Sequence, residues 1–354
     1  MTEISRRDFV RESLAAGIGF GILPGLLPAA AIQNSQASAA DDRYAMVDPE
    51  LLPRIKQFPP YTFSADNLAD GRNWPPNPPL PPPAPQPFER RIPGPAGAPE
   101  IRLVIVDPAP GAKGRPAFLH MHGGGYIIGI AGQDMPFLQS VAQKCGCLVV
   151  SANYRLAPET RFPGSLEDNY AALKWLHASA DELGVDRKRI AIGGESAGGG
   201  HAAMLAIAAR DRKEIPVCFQ MLIYPMLDDR TGSTRTVPPH LGQFIWNAGS
   251  NRFGWSSLLG EPAGSATVPA GSVPARFDNL AGLPPAFISV GALDLFVDED
   301  VEYARRLINA GVATELHVIP GAYHGFDLIV PEAAVSKRFV EWWSGALNRA
   351  FAKS

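Results

Sequence analysis

Two glycine-rich strings frame the chemistry open to this chain. Gly194-Glu195-Ser196-Ala197-Gly198 reads G-x-S-x-G, the pattern of a sharp strand-to-helix turn that lifts a serine hydroxyl clear of a sheet. Glycines flank such a serine because its backbone is strained and its neighbours must have almost no side chain. Upstream, His122-Gly123-Gly124-Gly125 is a loop whose backbone N–H groups can meet a developing oxyanion. A phosphate loop fits poorly, because no Gly-Lys-Ser/Thr follows the glycines. The two strings together point to a serine nucleophile attacking a carbonyl.

A serine hydroxyl needs a base to take its proton and a third group to orient that base. Where a nucleophile elbow supplies the serine, the acid and then the histidine follow it in the chain. The histidines after Ser196 are His201, His240, His317 and His324. His201 falls on the helix expected just after the elbow, with no room for an acid between. His240 follows Pro238-Pro239 without a partner motif, and His317 sits in the alternating run Thr314-Glu315-Leu316-His317-Val318-Ile319, which reads as a strand. His324 lies beyond that strand in Gly321-Ala322-Tyr323-His324-Gly325-Phe326, on a loop that could bring an imidazole over the sheet edge. For the acid, Asp294 comes three residues after the buried-strand pattern 286–291. Its competitors Asp298, Glu299 and Asp300 precede a helical run, where first-turn acids ordinarily serve the helix dipole. Asp294 is therefore the expected orienting carboxylate.

These strings, with Tyr126 after the glycine loop, Tyr154-Arg155-Leu156-Ala157-Pro158-Glu159, Asp294-Leu295-Phe296-Val297-Asp298-Glu299 and His324-Gly325-Phe326, resemble the bacterial hormone-sensitive lipase group of α/β-hydrolases. The likeness runs from about Arg102 to the C-terminus. It implies Ser196 as nucleophile, His324 as base and Asp294 as its partner, with an oxyanion hole from the N–H groups of Gly123, Gly124 and Ala197. It implies that His122 supports the loop and takes no part in proton transfer. Leu295 stands where many relatives carry proline, which leaves the acid itself in place. The activity implied is that of a carboxylesterase on small esters with short to medium acyl chains, needing no cofactor. Another acyl-transfer enzyme on the same scaffold, such as an amidase or a polysaccharide or xenobiotic deacetylase, is the alternative. A non-catalytic small-molecule binder is disfavoured, because hydrolase relatives that became receptors lose a triad member and all three are present here.

These residues demand an alternating βα scaffold. Strands are expected over 101–106, 117–120, 148–152, 190–193, 217–223, 286–291 and 314–319, and helices over 166–180, 197–210 and 301–307. The fold class is thus α/β, a mostly parallel sheet with helices on both faces and reactive loops at the strands' C-terminal ends. Residues 228–275 break the alternation and are rich in aromatics, including Trp246 and Trp255. They read as a cap insertion, with Tyr126, Trp246 and Trp255 as candidates for the substrate pocket.

The remaining chain supplies context. With 354 residues, 46% of them hydrophobic, there is enough chain for one large catalytic domain and accessories. A formal net charge of −3 gives no footprint for nucleic acid. The three cysteines, Cys145, Cys147 and Cys218, form neither a disulfide framework nor a zinc pattern, so no metal is expected. Ser5-Arg6-Arg7-Asp8-Phe9-Val10, a weakly apolar stretch over 14–32 and Ala37-Ser38-Ala39 resemble a twin-arginine export signal with a cleavage site. The expectation is a periplasmic or secreted protein handled by the twin-arginine machinery, with no stable membrane anchor. The reading divides the chain into a signal (1–39), a cap segment with a proline-rich strap (40–91) and the catalytic domain (92–354). The prolines of 74–87 favour extended polyproline II.

Overall fold

A computed structural model describes residues 42–73 and 85–353. Residues 1–39, expected to be a signal, and most of the expected proline-rich strap lie outside the described residues, and the chain from Arg43 onward forms one unit. Its elements run α1 (Leu52–Ile55), α2 (Leu68–Arg72), β1 (Pro87–Ile92), β2 (Ile101–Val106), β3 (Arg115–Met121), α3 (Met135–Cys145), β4 (Leu148–Ala152), α4 (Gly164–Ala178) and α5 (Ala180–Leu183). Then come β5 (Val185–Glu195), α6 (Ala197–Arg212), β6 (Phe219–Ile223), α7 (Ala248–Leu259), β7 (Ala286–Gly291), α8 (Val297–Asn309), β8 (Thr314–Ile319), α9 (Phe326–Ile329) and α10 (Ala334–Lys353).

Leu148-Val149-Val150 and Met221-Leu222-Ile223 are continuous apolar runs, which suit strands covered on both faces. Every residue of β3, β4, β6 and β7 is buried. The eight strands form one sheet in the order β1-β2-β4-β3-β5-β6-β7-β8. β1 and β2, and β2 and β4, pair antiparallel; every other pair is parallel. Helix α3 packs with α10 over one face, and α4 packs with α6 over the other.

Register then positions the chemistry. Met121 pairs with Gly194 and Glu195 with Ile223, so β3, β5 and β6 end level. The glycine loop therefore leaves its strand beside the nucleophile elbow. Gly291 pairs with Ile319, which sets the loops carrying Asp294 and His324 next to each other.

The expected strands all form, with β6 beginning at Phe219 instead of 217. The expected helix 166–180 runs Gly164–Ala178, with α5 as a separate turn. β1 was not anticipated: its residues are mostly exposed and begin with proline, which suits an edge strand and conceals the pattern. The division drawn at residue 91 falls inside it. Residues 228–275 contain the α-helix α7, whose N-cap Asn247 accepts from Ser250 N at 3.0 Å. The Asn247 amide also donates to Tyr61 O and Thr62 Oγ1, both at 2.9 Å, and Phe63 N donates to Ser250 Oγ at 3.0 Å. Those bonds knit this insertion to the segment carrying α1 and α2. Among the described residues no helix is long and apolar enough to cross a membrane.

Candidate active site

Ser196 sits between β5 and α6 with φ 56° and ψ −122°, a conformation few non-glycine residues adopt. The surroundings impose it. Ser196 N donates to Ile223 O at 2.9 Å, while Ser196 O accepts from Gly200 N and Met226 N, both at 3.0 Å. A Cβ on Gly194 would land 2.1 Å from Met121 O, and one on Gly198 2.0 Å from the same oxygen. The motif glycines thus let the elbow press against the end of β3, which brings the glycine loop alongside.

The three residues expected to form a relay are brought together. His324 Nε2 lies 3.0 Å from Ser196 Oγ, and His324 Nδ1 lies 2.7 Å from Asp294 Oδ2. Asp294 is fully buried, and its other oxygen accepts from Phe296 N at 3.1 Å. A carboxylate can only accept, so Nδ1 carries the proton and Nε2 is left to receive one from the serine. Tyr224 and Phe296 hold the imidazole edge-on, with centroids 4.8 and 5.3 Å away.

The glycine loop is oriented through its carbonyls. The peptide that provides the Gly123 N–H has His122 O at its other end, and Tyr154 OH donates to that oxygen at 2.6 Å. The peptide that provides the Gly124 N–H has Gly123 O, which lies 2.9 Å from His122 Nδ1. Burial holds the His122 imidazole down at about 3, so it is neutral and donates from Nδ1. Its ring stacks on Tyr154 at 4.2 Å. A Cβ on Gly123 would be 3.6 Å from Ser196 Cβ, so this backbone faces the nucleophile.

The other histidines stand apart. His201 is buried edge-on against Tyr126 and Tyr154, and burial followed by the nearby His122 pushes it down to about 3. His317 bonds Glu315 and stacks on Trp342. Asp298, Glu299 and Asp300 do lie in the first turn of α8. Glu299 has a larger role than dipole compensation: it is buried and accepts from Leu227 N at 2.7 Å and Asp228 N at 3.1 Å, bracing the loop after β6. Burial raises its pKa well above the usual carboxylate range.

The three pocket candidates separate. Trp246 lies directly on the glycine loop, since a Cβ on Gly125 would fall 2.0 Å from its ring. Tyr126 and Trp255 are buried and pack edge-on at 5.0 Å, with Tyr126 OH donating to Met226 O at 2.7 Å. A cavity of about 180 Å³ lies on the cap between Phe58, Tyr61 and Phe63 on one side and Phe244 and Ile245 on the other. Phe63 contacts Trp246 (5.7 Å) and Phe244 contacts Tyr323 (5.6 Å), so the Phe63 and Trp246 rings separate the cavity from the glycine loop and the Phe244 ring separates it from Tyr323, the neighbour of His324.

The residue before the nucleophile is part of the site's foundation. Glu195 Oε2 meets His120 Nε2 at 2.9 Å, and His120 Nδ1 meets Ser151 Oγ at 2.9 Å, all buried. A glutamate at the end of a buried strand requires such a partner, and that requirement is the signal from which the pair could have been inferred. Among the described residues no group of three or more His, Cys, Asp or Glu is placed to hold a metal ion. None of Cys145, Cys147 and Cys218 forms a disulfide; the first two are buried and Cys218 is half-buried.

A family model described as the α/β-hydrolase fold matches residues 118–328, more than half of the chain. This chain is an α/β-hydrolase of the hormone-sensitive lipase-like family. The hydrolase is 33% identical over 311 residues to esterase LipI of Mycobacterium tuberculosis, covering 84% of this chain and 93% of that protein. It is 35% identical over 254 residues to carboxylesterase NlhH of the same species, covering 70% and 78%. Among solved structures, a bacterial heroin esterase superposes on the hydrolase with TM-score 0.80 at 38% identity, covering 87% of this chain and 99% of that one. Esterase LipW from Mycobacterium marinum gives 0.76 at 32%, covering 88% and 97%.

Proposed function

We propose that this hydrolase is a serine carboxylesterase acting on small esters of short to medium acyl chains. The observation that carries the reading is the continuous relay from Ser196 Oγ through His324 to Asp294, at 3.0 and 2.7 Å. Relatives that align over most of their own length are esterases by name.

In the first half-reaction His324 Nε2 takes the Ser196 proton as Oγ attacks the ester carbonyl. Negative charge gathers on the carbonyl oxygen and is received by the N–H groups of Gly123, Gly124 and Ala197. Ala197 is the first residue of α6, so the helix dipole adds to that donor. His324 then gives its proton to the departing alcohol. Water repeats the cycle on the acyl-enzyme and frees the acid. The imidazole must be neutral to act as base, so the rate falls on the acid side. Trp246, which lies against Gly125 of the glycine loop, forms a wall of the substrate pocket and limits acyl length.

The test is hydrolysis of p-nitrophenyl acetate, butyrate, octanoate and palmitate by the mature protein beside Ser196→Ala. Turnover of the shorter esters that vanishes in the variant is expected, and Trp246→Ala should shift the chain-length profile. A folded wild type inactive on all four would overturn the esterase reading. The N-terminal pattern supports export through the twin-arginine route, with cleavage near Ala40. Recovery of exported protein retaining Met1 would refute that.

A further inference from the structure

The glycine loop does not hold its own shape. Gly124, Gly125 and Tyr126 have φ of 126°, 58° and 68°, three consecutive residues in the left-handed region, the last of them not a glycine. Such a backbone persists only when its surroundings fix it. One surrounding group reaches it from the cap. Arg72, the last residue of α2, donates from Nε to Ile127 O at 2.8 Å and from one terminal nitrogen to Ala157 O at 2.8 Å. The same fork grips both oxygens of Glu159, at 2.7 and 2.8 Å.

The partners form a path. Ile127 O belongs to the peptide whose N–H, on Ile128, donates to Gly124 O at 3.0 Å, and Ile127 N donates to that oxygen at the same distance. Ala157 N donates to Tyr126 O at 3.0 Å. A single planar guanidinium thus braces the far end of the turn that begins at Gly124 and ties it to the Tyr154–Glu159 segment. The Arg72 and Glu159 side chains are 29% and 61% exposed, so their ion pair contributes little stability by itself. Its use is orientation, because a fork held in plane by a carboxylate aims its remaining N–H groups at fixed carbonyls.

We propose that Arg72 is a positioning residue for the oxyanion loop, the latch through which the seated cap fixes the left-handed Gly124–Tyr126 turn and with it the backbone of the Gly124 donor. This rests on the esterase reading. Arg72 touches no reacting atom and acts through the peptides at Ile127 and Ala157. The Arg72 bond, foremost, holds Glu159 down at about 2, so the latch stays charged wherever a neutral histidine base can work.

The test uses the full mature chain with Arg72→Met, Arg72→Lys and Glu159→Gln. Three readouts are taken: kcat and KM on p-nitrophenyl butyrate, Ki for a trifluoromethyl ketone that forms an oxyanion on the serine, and amide exchange of residues 122–130. Tilting a donor costs less than the hundredfold or more seen on deleting one, so kcat of Arg72→Met should fall about tenfold. KM stays within twofold, Ki rises by the same factor as kcat/KM falls, and loop exchange quickens while β4 and β5 stay protected. Arg72→Lys keeps the charge without the fork and should fall between Met and wild type, as should Glu159→Gln. If Arg72→Met fails to fold, the Lys and Gln variants carry the same comparison. Wild-type kcat and Ki in variants whose cap has loosened would make Arg72 a staple and overturn the proposal. Unchanged loop exchange would overturn it whatever the activity. A wild type without esterase activity would sink the esterase reading, while the exchange data would still judge the latch.

Discussion

Replacing Tyr154 by phenylalanine removes one hydroxyl from the wall of the oxyanion loop and leaves the ring. The ring is 2% exposed and stacks on His122 at 4.2 Å, so its packing survives. What is lost is the 2.6 Å donation to His122 O, the only tie described above on the peptide that carries the Gly123 N–H. A neutral hydrogen bond contributes about 0.5–1.5 kcal/mol net, and stranding its buried acceptor costs about 1–3 kcal/mol. If about 1–2 kcal/mol of this is felt in the transition state, kcat falls about 5- to 30-fold. Outright loss of an oxyanion donor, about 10²–10³ in kcat, sets the ceiling. A ground-state carbonyl draws less on the donor than an oxyanion does, so KM should move by less than twofold. The assay is kcat and KM on p-nitrophenyl butyrate, with the melting temperature taken alongside. A folded variant whose kcat stays within twofold of wild type, or one changed in KM alone, would refute the orienting role of Tyr154.

Other perturbations give further tests. Asp294→Asn should cost about 10⁴ in kcat by favouring the wrong imidazole tautomer; a loss below tenfold would exclude Asp294 as the orienting acid. Gly125→Ala would drive a methyl to within 2.0 Å of the Trp246 ring at φ 58°, and kcat/KM should fall at least about tenfold through the displaced wall. Wild-type kinetics would place Trp246 away from the substrate. Asp327 accepts from Tyr224 OH at 2.9 Å, and burial raises it from 3.8 to about 7. The folded state then keeps a proton that the unfolded chain releases, so stability falls as pH climbs from about 4 to 7 and levels off above. The full move corresponds to about 4 kcal/mol, and for this half-buried side chain about 1–2 kcal/mol is expected. Asp327→Asn should therefore melt higher than wild type at pH 8 and match it near pH 4. Equal differences at both pH values would refute the assignment.

The parts legible in the sequence were those where chemistry restricts residue type. The G-x-S-x-G and His-Gly-Gly-Gly strings, the order of acid and histidine, and the apolar runs of β4, β6 and β7 all lead to the observed sheet and to the spatial meeting of Ser196, Asp294 and His324. What stayed hidden depends on partners distant in the chain. Glu195 looks like a neutral filler inside its motif until His120, 75 residues earlier, is found against it. Glu299 looks like a helix-dipole acid until the amides of Leu227 and Asp228 appear at its carboxylate. Trp255 and Trp246 have the same composition signal and both are buried, yet one packs on Tyr126 and the other on Gly125 of the glycine loop, a difference set by partners distant in the chain. β1 was missed because an edge strand needs no apolar run.

The two cap segments are stitched to each other by Asn247, Ser250 and the backbone at Tyr61–Phe63, although about 185 residues separate them in the chain. For anyone transplanting pockets between relatives, the unit of exchange is therefore a pair. Residues 51–73 moved alone would leave the Asn247 amide without Tyr61 O and Thr62 Oγ1, and residues 228–275 moved alone would strand the same atoms from the other side. Moved together, they keep those bonds within one cassette and leave the elbow, the acid and the base on segments that the exchange does not touch.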